Sequence, residues 1–212
     1  MANEAIVTYL PTKLQREEIE WCDIWVTKGT GTDLPRVLLI GDSIVRGYYP
    51  EVANLVGDRA AVSRISTSKS VGDPSLVTEL ALVLCEYEWN VIHFNNGLHG
   101  WGYTEEEYQA HFPGVIAAIK TFAPDAKLIW GTTTPMRENG ALDKVHPNTA
   151  RVIERNRDAA AIVTPLSISI NDLFAVVDSR LEYYSNDGTH FSPEGSVALA
   201  RAVANAVLAQ IA

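Results

Sequence analysis

Residues 37–40, Val-Leu-Leu-Ile, form an unbroken apolar run that stops at Gly41-Asp42-Ser43, and a helix-like pattern begins at once. A short apolar run cut off by a turn reads as a central strand. In an open α/β sheet, ligands and catalytic groups collect outside the carboxyl ends of such strands. Ser43 then stands at a helix start, where unpaired backbone N–H groups point outward and favour negative charge. A hydroxyl in that position is either a helix cap or a nucleophile, and the rest of the chain has to decide between them.

The strand-then-helix alternation continues along the chain. Further strands are expected at 60–65, 90–94, 127–132 and, as an edge strand, 166–170. Helices are expected at 43–56, 75–88, 104–122 and 148–162, with a short one at 172–177 and a last one from 193. Pro50 disfavours helix in the residue before it, so Gly47-Tyr48-Tyr49-Pro50 is expected to interrupt the first turns of its helix. Thr104 with Glu107 spells a capping box, and Ser192-Pro193 is a cap followed by proline at the first helical position. Strands alternating with helices of this length indicate a parallel sheet covered on both faces, hence an α/β fold built as a three-layer α/β/α sandwich of about five strands. Residues 11–28 carry Leu14, Ile19, Trp21, Cys22, Ile24, Trp25 and Val26 and read as a helix with Trp21 and Trp25 on one face. Without repeats or an internal linker, the 212 residues divide into a helical extension over 1–34 and one domain over 35–212.

A formal net charge of −9 argues against a nucleic-acid backbone or an anionic membrane surface as the main partner. Cys22 and Cys85 stand far apart with no CxxC or Cys/His cluster, which suggests two reduced, partly buried thiols and no metal site. The start, Met1-Ala2-Asn3-Glu4-Ala5, lacks the basic and apolar regions of a signal peptide, and no apolar run approaches the ~20 residues of a membrane-spanning helix. The expectation is a cytoplasmic protein, although a mature form that had lost a leader would read the same.

Two further stretches could carry chemistry. Asp187-Gly188-Thr189-His190 places a carboxylate and an imidazole three residues apart, close enough to share one tight turn. The imidazole can then take the proton of a serine hydroxyl while the carboxylate holds its tautomer and stabilises the imidazolium. The stretch from Asn95 to Tyr103 is rich in amide, glycine and aromatic residues at a strand end, which suits an oxyanion hole and equally suits an ordinary turn. Each stretch alone is ambiguous. Their order, serine then donor loop then Asp-x-x-His, all at one sheet edge, is what favours catalysis.

Residues 37–44, with Gly41-Asp42-Ser43-Ile44, resemble the first block of the SGNH (GDSL-type) serine hydrolases, and Asn186-Asp187-Gly188-Thr189-His190-Phe191-Ser192-Pro193-Glu194-Gly195 resembles their last block. The resemblance spans about residues 35–212. It implies a flavodoxin-like parallel sheet, ester hydrolysis, and a triad of Ser43 as nucleophile, His190 as general base and acid, and Asp187 as its orienting carboxylate. Two departures accompany it. Where the family has Gly-x-Asn-Asp, this chain has Gly97-Leu98-His99-Gly100, so His99 occupies the place of the oxyanion-binding Asn, and a neutral imidazole N–H could donate there. The second block's glycine finds only Gly72 in the loop 66–74, with the amides of Ser68 or Ser70 as alternatives. The oxyanion hole implied is therefore the Ser43 amide, Gly72 and His99.

Tyr48, Tyr49, Trp101, Tyr103 and Phe191 lie near these stretches, and Arg137 follows the fourth strand. Trp101 and Arg137 are the candidate substrate-binding residues, suited to a sugar ring and to a carboxylate or hydroxyls. The absence of a long apolar lid disfavours a long-chain lipase, and the resemblance, which extends to carbohydrate acetylesterases, implies a small-acyl esterase needing no cofactor that hydrolyses acetyl esters of a carbohydrate. The alternatives are a non-catalytic glycan- or anion-binding module on the same fold, and a thioesterase or lysophospholipase-type acyl hydrolase.

Overall fold

The computed structural model describes residues 14–211. In chain order its elements are β1 (Cys22–Trp25), β2 (Arg36–Gly41), α1 (Ser43–Val56), β3 (Ala61–Thr67), α2 (Pro74–Leu84), β4 (Val91–Phe94) and α3 (Glu105–Phe122). There follow β5 (Lys127–Gly131), a hairpin of β6 (Arg137–Glu138) and β7 (Ala141–Val145), α4 (Asn148–Val163), β8 (Ser169–Asn171), α5 (Leu173–Val177) and α6 (Pro193–Ile211).

Six strands form one sheet in the order β1-β3-β2-β4-β5-β8, in which every neighbouring pair is parallel except β1 with β3. Side chains along a strand alternate between faces, and the two cores follow that alternation. Leu38 and Ile40 of β2 pack with α2, α3 and the end of α4, around Phe112 and Trp130. Val37 and Leu39 pack on the other face against α1, α5 and α6. This is the three-layer α/β/α architecture expected, with one strand more than expected.

That extra strand replaces the helix expected over 11–28. Residues 14–21 run without regular secondary structure and lead into β1, which pairs antiparallel with β3 from Cys22↔Thr67 to Trp25↔Arg64. The free edge of β3 offers a ladder of backbone donors and acceptors, and pairing with it outweighs a local helical pattern. Trp25, in β1, is exposed, while Trp21, just before the strand, packs beside His99. Residues 1–13 of the proposed extension lie outside the described residues.

Three smaller differences follow from tertiary context. α1 is continuous through Pro50, because the helix buries Tyr48, Val52 and Val56, enough apolar surface to absorb one missing hydrogen bond. The expected loop at 133–147 contains the β6–β7 hairpin. Cys22 and Cys85 are unpaired, as expected, but exposed rather than partly buried. Among the described residues no helix is long and apolar enough to cross a membrane.

The topology fixes where a ligand can sit. From β2 the chain crosses to β3 on one side, then returns past β2 to β4 on the other. The segments leaving β2 and β4 therefore diverge at their carboxyl ends, and that switch point is where doubly wound sheets open a crevice. Ser43 leaves β2 there, and residues 95–103 leave β4 there.

The capping box of α3 forms in full: Thr104 Oγ1 accepts from the Glu107 N–H and the Glu107 carboxylate accepts from the Thr104 N–H. Replacing Thr104 with Ala should cost about 1 kcal/mol. Urea denaturation followed by circular dichroism should show a lower midpoint with an unchanged slope.

Candidate active site

Ser43 is the first residue of α1, and Asp42 is its cap, with a side chain that accepts from the Ile44 N–H at 2.9 Å. The cap role thus belongs to Asp42, which leaves the Ser43 hydroxyl for other work. The turn from β2 into α1 is tight enough to require glycine: a Cβ on Gly41 would lie 2.2 Å from a methyl of Val45.

Opposite Ser43, residues 185–190 fold into a turn whose hydrogen bonds converge on one carboxylate. Asp187 Oδ1 accepts from the Ser185 hydroxyl (2.8 Å), the Thr189 N–H (2.9 Å) and the His190 N–H (2.9 Å). Asp187 Oδ2 lies 2.7 Å from His190 Nδ1, and His190 Nε2 lies 2.8 Å from Ser43 Oγ. A carboxylate can only accept, so Nδ1 carries the proton and Nε2 of the neutral ring is an acceptor directed at the serine hydroxyl. The three sequence-predicted residues are thus brought into one chain of hydrogen bonds, from segments 147 positions apart.

The turn is braced from below by the β6–β7 hairpin. The Arg137 N–H donates to the Gly188 carbonyl at 2.7 Å and the Gly140 N–H to the Asn186 carbonyl at 2.9 Å. Gly188 has φ +74°, and a Cβ there would meet the Arg137 carbonyl oxygen at 2.2 Å, so only glycine fits. Arg137 therefore acts through its backbone. Its guanidinium donates to the Asp178 carbonyl and lies over the Tyr184 ring at 5.7 Å, directed away from the substrate-binding role expected of it.

A cleft of about 480 Å³ opens beside the triad, lined among others by Glu17, His99, Trp101, Met136 and Thr189, the residue before His190. Its wall is the segment after β4. The Arg155 guanidinium, 1% exposed, donates to the carbonyls of Gly97 (2.8 Å) and His99 (3.0 Å) and pairs with Glu105 at 3.2 Å. Arg151 donates to the carbonyls of Trp101 and Tyr103 and pairs with Glu105 at 2.7 Å. Both guanidinium groups lie over the Trp101 ring, at 5.2 Å for Arg151 and 4.5 Å for Arg155. Trp101 lines the cleft. Tyr48 and Tyr103 are buried, and Phe191 packs against Tyr184, so these rings support the fold.

His99 also lines the cleft, but its partner was not foreseen. Nδ1 lies 2.8 Å from Glu17 Oε1, in the segment before β1. Because the carboxylate accepts, Nδ1 carries the proton, and the neutral ring has none on Nε2. In that tautomer the N–H of the ring faces Glu17, in place of the donor to the oxyanion expected at this position.

Gly72 packs against the Tyr103 ring, only 2.9 Å from where its Cβ would stand. In the loop after β3 the amides of Ser68, Lys69, Val71 and Asp73 are bonded to Trp21 O, Thr67 Oγ1, Asn96 Oδ1 and Ser70 O. That accounting leaves Ser70 and Gly72 as the two backbone donors of the loop with no acceptor among the described residues. Ser68 is thereby removed from the alternatives.

Sequence reasoning missed the residues of the amino-terminal strap and of α4. Arg151 and Arg155 lie four apart on one helix face, a spacing that signals a shared surface but not its target. Glu17 lines the cleft, and Trp21 lies beside His99, only through the strand pairing that the helical reading excluded.

Burial alone would raise the Asp187 pKa, but the His190 N–H, the His190 imidazole, the Thr189 N–H and the Ser185 hydroxyl outweigh it and hold the carboxyl well below the usual range. A folded value below the unfolded one gives stability that is complete above about pH 4 and lost as pH falls through the folded value. The stability gap between the native chain and Asp187→Asn should therefore narrow as urea midpoints are taken from about pH 6 to about pH 3. Arg155→Met should cost about 3 kcal/mol, because the carbonyls it satisfies lose their donor in a buried setting. Chemical denaturation at neutral pH measures that cost.

Among the described residues no cluster of three or more His, Cys, Asp or Glu side chains could hold a metal ion. No family model and no curated protein matches the chain. Solved structures do match. A carbohydrate acetylesterase from Sinorhizobium meliloti superposes with a TM-score of 0.68 at 15% identity, over 82% of this chain and 99% of that one. A GDSL-like lipase from Bacteroides thetaiotaomicron gives 0.62 at 16% identity, over 86% and 94%. A carbohydrate esterase family 3 protein from Talaromyces cellulolyticus gives 0.68 at 13% identity, over 84% and 98%. At these identities the likeness establishes the fold alone: this chain shares the α/β/α architecture of these three structures.

Proposed function

We propose that the chain is a serine esterase that hydrolyses small acyl esters, acetyl esters of a carbohydrate in the first instance. The observation that carries this reading is the unbroken series Asp187–His190–Ser43, with heavy-atom separations of 2.7 and 2.8 Å. A general base must lie within hydrogen-bond reach of the proton it removes, and His190 Nε2 does. The fold shared with two carbohydrate esterases and a lipase supports the same reading.

In the reaction proposed, His190 Nε2 takes the Ser43 proton as Oγ attacks the acyl carbonyl. Asp187 keeps the ring in the Nδ1–H form and stabilises the imidazolium. The tetrahedral oxyanion meets backbone N–H groups, that of Ser43 at the start of α1 and one from the loop after β3, Ser70 or Gly72. Collapse expels the alcohol, which takes its proton from His190. Water, deprotonated in turn by His190, then releases the carboxylic acid and restores the Ser43 hydroxyl. Every proton in the cycle passes through one nitrogen, and no cofactor takes part in these steps.

A sugar ester suits the cleft beside the triad. Its volume of about 480 Å³ accommodates a monosaccharide-sized group, and its lining mixes Trp101 and Met136 with polar side chains.

Hydrolysis of p-nitrophenyl acetate tests the reading. The native chain should turn it over, Ser43→Ala should reduce the rate to background, and Asp187→Asn should lower kcat by about 10⁴-fold while remaining folded. Equal rates in the native chain and Ser43→Ala contradict it. Acid release from mono-acetylated sugars, longer-chain esters and thioesters, compared side by side, then ranks the substrate classes.

A further inference from the structure

We propose that His99 is a specificity-determining residue whose Nε2 accepts a hydrogen bond from a free hydroxyl of the substrate, and that Glu17 is the positioning residue that imposes this role. The proposal rests on the esterase reading and narrows it to partly acylated polyols, of which sugars are the evident case.

The site contains two carboxylate–imidazole pairs built alike. In the first, Asp187 holds Nδ1 of His190 at 2.7 Å, and the bare Nε2 accepts from the Ser43 hydroxyl at 2.8 Å. In the second, Glu17 holds Nδ1 of His99 at 2.8 Å, and no hydroxyl of the protein meets Nε2 among the described residues. The His99 side chain is 16% exposed and lines the cleft together with Trp101 and Thr189. A bare ring nitrogen repels the lone pairs of an oxyanion or a carbonyl and pairs with an O–H donor. A substrate hydroxyl therefore completes the second pair as Ser43 completes the first.

The ring is held where this role requires. The edge of the Trp21 ring system meets it at a centroid distance of 6.0 Å and an interplanar angle of 76°, and Arg155 holds its backbone carbonyl at 3.0 Å. Trp21 in turn lies under the Arg46 guanidinium, 5.1 Å away, one helical turn beyond Ser43. Glu17 is fixed as well, since its segment is tied down at four points. The Gln15 N–H donates to Tyr103, Arg16 pairs with Asp73 at 3.1 Å, Glu20 pairs with Lys69 at 2.5 Å, and the Trp21 N–H donates to Ser68. The charged groups around His99 are thus Glu17 from the strap, Arg155 from α4 and Arg46 beyond Trp21, and Arg16 in the cleft wall is already paired. Among the described residues, Glu17 is the carboxylate that meets the ring.

Two measurements test this. The first compares kcat/KM for mono-O-acetyl methyl glucosides with that for the same acetates whose other hydroxyls are O-methylated. The native chain should favour the free-hydroxyl ester by at least about tenfold. His99→Leu should bring the ratio close to one, and His99→Gln, whose amide oxygen can accept, should restore part of it. If His99→Leu slows both esters equally and leaves the ratio unchanged, His99 serves the oxyanion and the proposal is overturned. The second is the ¹⁵N spectrum of the imidazoles at about pH 8.5, with the His99 signals assigned by comparison with His99→Leu. Nδ1 of His99 should carry the proton, and Glu17→Leu should shift population to the Nε2–H form. A native ring protonated at Nε2 overturns the proposal whatever the enzymology. Failure of every ester to turn over strikes the esterase reading instead, and the tautomer still decides the assignment of Glu17 and His99.

Discussion

The walls of the candidate site depend on one buried cation. Arg155 enters from α4 almost without exposure and donates to successive carbonyls of the segment that leaves β4. That segment has no regular secondary structure, so its carbonyls would otherwise be buried without donors, at a cost of roughly 1–3 kcal/mol each. One guanidinium, with five N–H groups in a rigid fork, satisfies several at once, and Glu105 balances its charge. The cost of burying the charge is thus converted into a defined loop shape. His99 keeps its place in the cleft because of it, and Trp101 because of it together with Arg151.

Much of the fold was legible because it rests on local patterns repeated many times. Short apolar runs separated by helix-length periodicity specify parallel strands and covering helices, and the capping signals at Thr104 and Ser192 located the starts of two helices. The amino-terminal segment was misread because its apolar residues satisfy two periods at once, and what decides between them is the free edge of β3, a partner distant in sequence. Proline at position 50 misled for a related reason: local preference disfavours it in a helix, and the packing of Tyr48 and Val52 against the core overrides that preference.

The site divides along the same line. Ser43, Asp187 and His190 could be picked out as candidates because the chemistry proposed for each requires its immediate neighbours: a cap that is not the serine itself, and a carboxylate three residues before an imidazole. Arg137 was assigned to substrate because it follows a strand, yet its contribution is a backbone N–H and its guanidinium turns to Asp178 and Tyr184. His99 does lie in the loop that the sequence pointed to. The side chain that meets its Nδ1, Glu17, lies 82 residues away in sequence. Second partners of this kind are invisible to motif reading, since no spacing rule connects them. In a chain of net charge −9 they come from acidic residues that would otherwise read as solubilising surface.

The central claim is that Ser43 is a nucleophile activated by His190. Stoichiometric labelling with a fluorophosphonate, followed by peptide mass spectrometry, tests it without knowledge of the natural substrate. The account predicts one adduct per chain, on the peptide containing Ser43, and its loss in His190→Ala. An unlabelled chain, or labelling of Ser43 that persists at the same rate without His190, contradicts it.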